Sequence, residues 1–311
     1  MAKILGPPVT DISPRRGMGL DELVRQMGAG GGFVAKKVST AVDILERMEK
    51  DAECAKFFSF PAAIVSTGCR GVIREMVKRK LVDVIITTCG TLDHDLARTW
   101  KKYYHGHFEM DDAKLHRAGI NRIGNVLTPN ESYGLIIEDK MQPILRELWK
   151  EKHEFSEKEL VWEFGKRMKP SSILYWAWKN KIPVYVPGIF DGAFGSQLWM
   201  FWQDHRGFKL NQFQDEQEIA DIVFGSKKTG AFMIGGGISK HHTIWWNQFR
   251  GGMDYAVYIT TAPEWDGSLS GARTREAISW GKLKEKAAHV TVEGDATVLL
   301  PLMVGALLDR L

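Results

Sequence analysis

The stretch that decides the fold runs from Asp254 to Lys282 and reads DYAVYITTAPEWDGSLSGARTREAISWGK. Its beginning, up to Thr261, is rich in β-branched and aromatic residues, which predicts a strand. The proline, glycines and serines that follow predict a loop, and Thr274 begins a short helical turn. Because open α/β sheets bind ligands at loops that leave the carboxyl ends of strands, we expect a site in this loop. Its charged and aromatic side chains are Glu264, Asp266, Arg273, Glu276, Trp280 and Lys282.

Lys282 has two interpretations. As an ordinary lysine at the end of a short helix, it is solvated. Its neighbours favour a second interpretation, because Trp280 supplies an apolar surface and Gly281 lets the backbone approach closely. Desolvation lowers the pKa of a lysine, and the neutral amine is a nucleophile toward imines and carbonyls. The local pattern leaves both interpretations open.

Composition places the chain among ordinary globular proteins, since 44% of its 311 residues are hydrophobic and 26% are charged. The formal net charge of +4 is small and shows no basic stripe, so nucleic acid is not an expected partner. Cys54, Cys69 and Cys89 lack metal-type spacing, which indicates a reducing compartment. Without a signal peptide or a membrane-length apolar run, we expect a cytoplasmic protein that does not bind membranes.

Strand and helix signals alternate along most of the chain. This alternation predicts an α/β fold with a doubly wound, mainly parallel sheet covered on both faces. Residues 1–17 carry prolines and glycines and are predicted to form an irregular arm, and residues 18–311 a single domain. The predicted strands are 57–65, 82–88, 182–187, 231–234, 254–261 and 290–292. The predicted helices include 35–49, 70–80, 131–152, 156–168, 171–180, 212–224 and 297–311.

Several predicted strands end in small residues. Ser66 follows the first strand, and the second ends in Thr88, Cys89 and Gly90. Small residues at strand ends let a flat ring or a phosphate approach the backbone. Asp191 follows a third strand, where a carboxylate suits the hydroxyl pair of a ribose.

The run Gly235-Gly236-Gly237 follows a strand and precedes a helix. A helix N-terminus favours anionic phosphate, so this turn is a plausible contact for a nucleotide, although it is not a GxGxxG sequence. The glycines at 28–32 have no preceding strand and are predicted to end a helix.

Histidines and carboxylates near these turns have alternative roles. His241 is either a general base near neutral pH or a packing residue. Asp93, His94 and Asp95 are predicted to begin a helix, where either Asp93 or Asp95 is a stabilising charge or His94 lies at the ligand. The polar residues between His105 and Asp112 lack clean ligand spacing and are predicted to form a solvated loop rather than a metal site.

Four strings carry a resemblance to a known family. They are GGGISKHH (235–242), DYAVYITTA (254–262), EWDGSLSGA (264–272) and EAISWGK (276–282). Further support comes from LVDVIITTCG (81–90), GINRIGN (119–125), DGAFG (191–195) and GDATVLLPL (294–302). From about residue 15 to its end, the chain resembles deoxyhypusine synthase, and specifically the shorter archaeal members.

The resemblance implies roles for particular residues. Lys282 matches the lysine that carries the aminobutyl group as an imine, and His241 matches the base in the dehydrogenation. The resemblance also implies that Glu276 is a catalytic residue. The implied substrate-binding residues are Asp93, His94, Gly267, Ser268 and Trp280. The implied NAD-binding residues are Ser66, Thr88, Cys89, Gly90, Asp191, Gly236, Thr261, Ala262, Asp295 and Ala296.

The resemblance also implies an activity and an assembly. Members oxidise spermidine with NAD, release 1,3-diaminopropane, and transfer the aminobutyl group to one lysine of translation initiation factor 5A. Their Rossmann-like NAD-binding fold forms a homotetramer with active sites shared between paired subunits.

The chain departs from the family at three positions. Ser196 and Leu269 stand where the best-known members have acidic residues, and Trp245 replaces an asparagine. Fewer carboxylates weaken the case for a fully charged triamine, because each such pair contributes on the order of 1–3 kcal/mol. Two alternatives therefore remain: transfer to putrescine, as in a homospermidine synthase, or a non-catalytic NAD-binding homotetramer.

Overall fold

The computed structural model describes residues 5–311, which contain thirteen α-helices and eleven strands. The helices are α1 (Leu20–Gly30), α2 (Phe33–Lys50), α3 (Cys69–Lys78), α4 (Cys89–Trp100), α5 (Asp112–Arg117), α6 (Gly134–Glu151), α7 (Glu157–Lys166), α8 (Ile173–Asn180), α9 (Ala193–Asp204), α10 (Gln212–Gly225), α11 (Gly237–Gln248), α12 (Glu276–Ser279) and α13 (Ala296–Arg310). The strands are β1 (Cys54–Ser59), β2 (Val84–Ile86), β3 (Tyr104–His105), β4 (Ile120–Ile123), β5 (Val126–Pro129), β6 (Glu154–Phe155), β7 (Val184–Tyr185), β8 (Lys209–Leu210), β9 (Lys228–Ile234), β10 (Met253–Thr260) and β11 (Leu283–Glu293).

Six strands form the central sheet in the order β7-β2-β1-β9-β10-β11, and every neighbouring pair is parallel. Numbered by their sequence in the chain, these six strands have the order 3-2-1-4-5-6. This is the doubly wound order of dinucleotide-binding sheets, in which the winding reverses between the first and fourth strands. The predicted fold class is confirmed, and the reversal lies between β1 and β9.

The central strands β9 and β10 are buried on both faces, which explains their nearly continuous apolar sequences. Alternate residues point to opposite faces of a strand. Phe232 and Val257 accordingly belong to the larger part of the core, where α2 and α13 pack. Met233 and Tyr258 belong to a smaller cluster on the face covered by α10 and α11. The site described below lies on this second face and at the carboxyl edge of the sheet.

The bounds of the first and the last predicted strands differ most from the structure. The apolar run predicted as a strand over 57–65 is β1 followed by a 3-10 turn at Ala62–Ser66, and Pro61 separates them. Both pieces are buried, so hydrophobicity does not distinguish them. The last strand is much longer than the predicted 290–292, because the polar first half of β11 lies at the edge of the sheet.

Other local predictions also need correction. The turn predicted at 121–125 contains most of β4, which pairs with β5 around Gly124. Asp93 and Asp95 do not begin a helix, since α4 already begins at Cys89. Helix α9 was not predicted. The loop predicted from His105 to Asp112 is irregular between the end of β3 and the start of α5.

Residues 5–19 have no helix or strand, and the first four residues of the predicted arm lie outside the described residues. None of the helices in residues 5–311 combines the length and apolar character that a membrane crossing requires. In the same range, no group of three or more His, Cys, Asp or Glu side chains is placed to hold a metal ion.

Candidate active site

Lys282 is positioned by a tight turn between α12 and β11. Gly281 has a φ of +65°, a conformation that favours glycine, and donates its N–H to Ile278 O at 2.9 Å. Lys282 N–H donates to Ala277 O at 2.9 Å, and Met253 N–H donates to Lys282 O at 3.2 Å. These bonds fix the backbone against the first residue of β10. The side chain of Lys282 is consequently directed inward, and the residue is only 7% exposed.

Lys282 lines a cavity of about 300 Å³, which we call the lysine pocket. It lies between α11 and the sheet, and the loop 269–274 and α12 close its side. The Nζ atom of Lys282 is 5.3 Å from the ring centre of Trp280 and 5.8 Å from that of Trp245. The lining residues are Met233, Lys240, His241, Ile244, Trp245, Met253, Ala256, Leu269, Ala272, Arg273, Thr274, Glu276, Ala277, Trp280, Lys282 and Leu283.

His241 reaches the lysine pocket from α11. Its ring stacks on Trp245, with ring centres 5.6 Å apart and planes inclined by 27°. Partial burial, and then the positive charge of Lys282, lower the pKa of His241 below its ordinary value. The neutral imidazole, which is the form that accepts a proton, is therefore the dominant form at neutral pH.

Glu276 is the one carboxylate among the residues that line the lysine pocket. Both Glu276 and Trp280 are exposed, so they lie at the mouth of the pocket. Arg273 lies opposite, with its Nε atom 3.1 Å from a carboxylate oxygen of Glu264 and 3.5 Å from one of Glu293. Four residues singled out by the sequence, Lys282, His241, Glu276 and Trp280, thus meet in one pocket.

Lys240 is a pocket residue that the sequence reasoning missed. It is 3% exposed, and its Nζ atom donates to the backbone oxygens of Leu269 at 2.9 Å and Ala272 at 2.7 Å. Burial lowers its pKa to about 7. The sequence gives no signal for this burial beyond the position of Lys240 next to His241.

A second cavity, of about 520 Å³, lies at the carboxyl ends of β1, β9, β10 and β11. We call it the strand-end cavity. It lies where the winding of the sheet reverses, which is the place where sheets of this order bind dinucleotides. Five residues predicted to bind the cofactor line it: Ser66, Thr261, Ala262, Asp295 and Ala296.

The chemistry of the strand-end cavity fits a dinucleotide. Thr67 and Thr297 add hydroxyl groups, and both residues line the cavity close to the N-termini of α3 and α13. Helix N-termini favour phosphate groups. Asp295 accepts the N–H of Thr297 at 2.8 Å and provides a carboxylate of the kind that binds ribose hydroxyls. Arg98 supports the wall by donating to the backbone oxygens of Val65 and Thr67.

The other predicted cofactor residues do not line the strand-end cavity. Thr88 accepts the N–H of Ala62 at 3.0 Å, and Gly90 packs closely on the same alanine, so both support the loop after β1. Cys89 is fully buried, and desolvation raises the pKa of its thiol. Asp191 is exposed, at a different loop. Gly236 packs against Ser270, as described below.

Asp93 and His94 are buried outside the lysine pocket. Asp93 is 0% exposed and accepts hydrogen bonds from Tyr133 Oη at 2.8 Å, Ala193 N at 3.0 Å and Phe194 N at 2.6 Å. It therefore caps α9 rather than its own helix. His94 Nδ1 lies 2.9 Å from the hydroxyl of Tyr103, and burial lowers the pKa of His94 to about 4. Within one chain, the structure does not bring either residue to Lys282.

The remaining predicted residues and departures have separate positions. Gly267 has a φ of +68°, and both it and Ser268 are exposed on the loop after β10, outside the lysine pocket. Leu269 and Trp245, two of the three departures from the family, do line the lysine pocket. Ser196 is exposed on α9 and donates to Gly192 O at 3.0 Å.

A doubly wound parallel sheet with a cavity where its winding reverses, and with a buried lysine beside a neutral histidine, defines an α/β enzyme that acts on amines or carbonyls. Residues 22–307 match the family model of deoxyhypusine synthase. A protein of Picrophilus torridus is 58% identical over 98% of both chains, and one of Thermoplasma acidophilum is 55% identical over 98% of this chain and 99% of its own. Both are named "Probable deoxyhypusine synthase".

This chain belongs to the deoxyhypusine synthase family. Enzymes of the family are NAD-dependent aminobutyl transferases that move the aminobutyl group of spermidine to translation initiation factor 5A. The fold agrees with solved structures. A crystal structure described as "a putative deoxyhypusine synthase from Entamoeba histolytica" aligns with a TM-score of 0.64 at 20% identity, covering 96% of this chain and 95% of that one. AgrE, solved with ornithine and NAD+, shares the fold alone, with a TM-score of 0.54 at 14% identity, covering 88% of this chain and 34% of AgrE.

Proposed function

We propose that Lys282 carries the aminobutyl group of spermidine as an imine before it passes to a lysine of factor 5A. The observation that carries this proposal is the burial of the Lys282 side chain between Trp245 and Trp280, in a pocket that His241 also lines. Attack by an amine requires its neutral form, and an apolar, partly closed pocket favours that form. A binding protein would have no need for this arrangement.

His241 and Glu276 have complementary roles in this proposal. The neutral imidazole of His241 accepts a proton from the substrate amine as that amine is oxidised. The carboxylate of Glu276, at the mouth of the pocket, binds an ammonium group of the polyamine. Trp245 and Trp280 pack against the methylene chain and attract its positive charge.

NAD is proposed to bind in the strand-end cavity. The side chains of Ser66, Thr261 and Asp295 would bind its ribose groups, and the N-termini of α3 and α13 its phosphates. When bound, NAD takes up a hydride in the oxidation and returns it in the reduction. The contribution of the chain is to orient the cofactor and to exclude water.

A homotetramer with shared active sites would explain the predicted residues that lie outside both cavities. Asp191, which is exposed, would then complete the site of another subunit, and the buried Asp93 and His94 would support it from within their own chain. Large apolar side chains are exposed on and around α9, including Phe190, Trp199 and Phe213. Exposed apolar surfaces of this kind are typical of association between subunits. A sedimentation or mass-photometry measurement tests the assembly, and a monomer at working concentration would contradict it.

Borohydride trapping tests the central proposal. The protein is incubated with NAD and spermidine and then reduced, and mass spectrometry of its peptides is expected to find the added aminobutyl group on Lys282. K282R should remove the adduct, whereas K284R should retain it, because Lys284 is half-buried and pairs with Asp254 at 2.6 Å. An adduct on another lysine, or none in the wild-type protein, would refute the role of Lys282.

The acceptor has a second candidate. Leu269 and Trp245 make the pocket more apolar than in the best-known members, which favours a smaller, less charged amine such as putrescine as the acceptor. Turnover with factor 5A and with putrescine, each at equal concentration, separates the two. We propose factor 5A as the acceptor and therefore the cytoplasm as the site of action. Faster transfer to putrescine would overturn this choice.

A further inference from the structure

The backbone turn Ser268–Ala272, which we call the partition turn, belongs to both cavities. Leu269 and Ala272 line the lysine pocket, and Ser270, between them, lines the strand-end cavity. Any displacement of this turn therefore changes the shape of the amine site and of the proposed cofactor site together.

The partition turn is held from the helix side by Lys240. The ammonium group of Lys240 leaves α11 and donates to the backbone oxygens of Leu269 and Ala272, at 2.9 and 2.7 Å. It also lies 3.6 Å from the ring centre of Tyr258. These two oxygens and this ring compensate the burial of Lys240 by direct contact, and the negative charge of Glu276 adds a longer-range contribution.

The strand side holds the middle of the same turn. Tyr258 Oη and Thr260 Oγ1 both donate to Ser270 O, at 2.7 and 2.8 Å. Three carbonyl oxygens of the turn, those of Leu269, Ser270 and Ala272, are thus bound by three side chains from α11 and β10. Since Tyr258 contacts both Lys240 and Ser270, the two sets of contacts form one network.

Close packing leaves the partition turn little freedom to move. A Cβ atom at Gly236 would lie 2.1 Å from Ser270 Oγ and 2.5 Å from its Cα. A Cβ atom at Gly271 would lie 2.1 Å from Pro263 O. Only glycine at these two positions permits the observed approach of Gly236 to Ser270 and of Gly271 to Pro263.

We propose that Lys240 is a positioning residue that fixes the partition turn and thereby sets the shapes of the lysine pocket and the strand-end cavity together. Its neighbour in sequence, His241, is the proposed base, so the same turn of α11 holds the base and the boundary between the two cavities. The expected effect of Lys240 on amine transfer rests on the proposed function. Its expected effect on the backbone of the partition turn does not.

Hydrogen exchange of the protein without substrate tests the backbone part. The N–H groups of Gly271 and Ala272 donate to Ser268 O at 3.0 and 3.2 Å, so their exchange reports on the turn. K240M keeps the aliphatic stem and removes the donors. We expect exchange at 268–272 to become about tenfold faster or more, since removing the donors leaves two backbone oxygens of the turn without their partner. K240R, which keeps charge and donors, should retain most of the protection.

A matched control separates this effect from general destabilisation. Lys56 is another lysine of low exposure, on β1, and its Nζ atom lies 2.8 Å from Glu49. K56M should leave exchange at 268–272 unchanged. Unchanged exchange in K240M, or equal acceleration throughout the molecule, would overturn the proposal. If K240M does not fold, K240Q is measured instead. Its amide donor is on a shorter side chain, and exchange at 268–272 should again become faster than in the wild-type protein.

The functional part is measured separately on the complete protein. K240M should weaken NAD binding and slow borohydride-trapped labelling of Lys282 together. Y258F keeps the ring but loses the bond to Ser270, and its effect on NAD affinity should be non-additive with that of K240M. Additive effects of K240M and Y258F on NAD affinity, or slower labelling of Lys282 without weaker NAD binding, would refute the proposal that the partition turn shapes both cavities. If wild-type protein shows neither NAD binding nor labelling, the proposed function fails while the exchange result still decides the role of Lys240.

Discussion

The Nζ atom of Lys282 lies 5.8 Å from the ring centre of Trp245, and the same indole stacks on His241 at 5.6 Å. One aromatic ring therefore contacts both the proposed nucleophile and the proposed base. An asparagine at position 245, which the resemblance implies for other family members, has no ring and could make neither contact. The spacing of His241 and Trp245, four residues apart on α11, places both side chains on one face of the helix.

W245N should lower kcat/KM for the amine on the order of tenfold, because a cation–aromatic contact contributes about 0.5–2 kcal/mol. Steady-state kinetics at saturating NAD measures this effect. The matched control is W265N, since Trp265 is 89% exposed and lies outside the lysine pocket. Equal kinetics in W245N and wild type would show that the indole does not contribute to amine binding.

The pH dependence of stability should contain a contribution from His94. Burial lowers the pKa of His94 from 6.5 to about 4, so between these values the unfolded chain binds more protons than the folded chain. The stability contributed by neutral His94 is therefore present above pH 6.5 and is lost as the pH falls toward 4. H94Q keeps a hydrogen-bonding partner for Tyr103 and does not titrate.

Urea unfolding of wild type and H94Q at several pH values measures this contribution. The difference in free energy of unfolding should be constant above pH 6.5. Below it, the difference should change in favour of H94Q by up to about 1.4 kcal/mol per pH unit. If the difference in free energy of unfolding between wild type and H94Q does not vary with pH, His94 has the same pKa in the folded and the unfolded chain.

The parallel sheet was predictable because apolar runs and small residues alternate with amphipathic segments. The clustering of Lys282, His241, Glu276 and Trp280 was implied by the resemblance, and the structure does bring these four residues together. The edge strand β11 was largely missed, because its exposed first half carries polar residues that resemble a loop.

Two features of the site depend on contacts between distant residues, which no local pattern reveals. Lys240 is buried only because the oxygens of Leu269 and Ala272, about thirty positions later, accept its hydrogen bonds. Asp93 caps α9 across about a hundred positions. The sequence pattern predicts Asp93 as a stabilising charge at the start of its own helix, which is wrong, because Asp93 lies inside α4 and caps α9 instead.

Asp93 and Asp95 allow capping and amine binding to be separated. Both are fully buried caps, since Asp95 accepts the N–H groups of Ile173 and Leu174 at 3.0 and 2.9 Å. D93N should lower the free energy of unfolding by about 1–3 kcal/mol, because a buried charged acceptor is lost. D95N should lower it by about 3–5 kcal/mol, because it also leaves the buried guanidinium of Arg70, 2.7 Å from Asp95, without its partner. Only D93N should also raise KM for the amine, because Asp93 binds the N–H groups of Ala193 and Phe194, beside the exposed Asp191 that is proposed to complete the site of another subunit. Equal KM values in both variants would limit Asp93 to capping.

Gly236 provides the sharpest steric test of the glycine turn. Its added Cβ would lie 2.5 Å from Ser270 Cα, and a backbone atom cannot move aside as a flexible side chain can. G236A should therefore cost about 1–3 kcal/mol of stability and displace the partition turn, with weaker NAD binding as a result. The matched control is G68A, because Gly68 has a φ of −61° and no atom within 4 Å of an added Cβ. Calorimetric titration should show a lower affinity of G236A for NAD, and thermal unfolding should show its lower stability. The stability of G68A should change little. A stable G236A with full affinity for NAD would refute the close approach of the two turns.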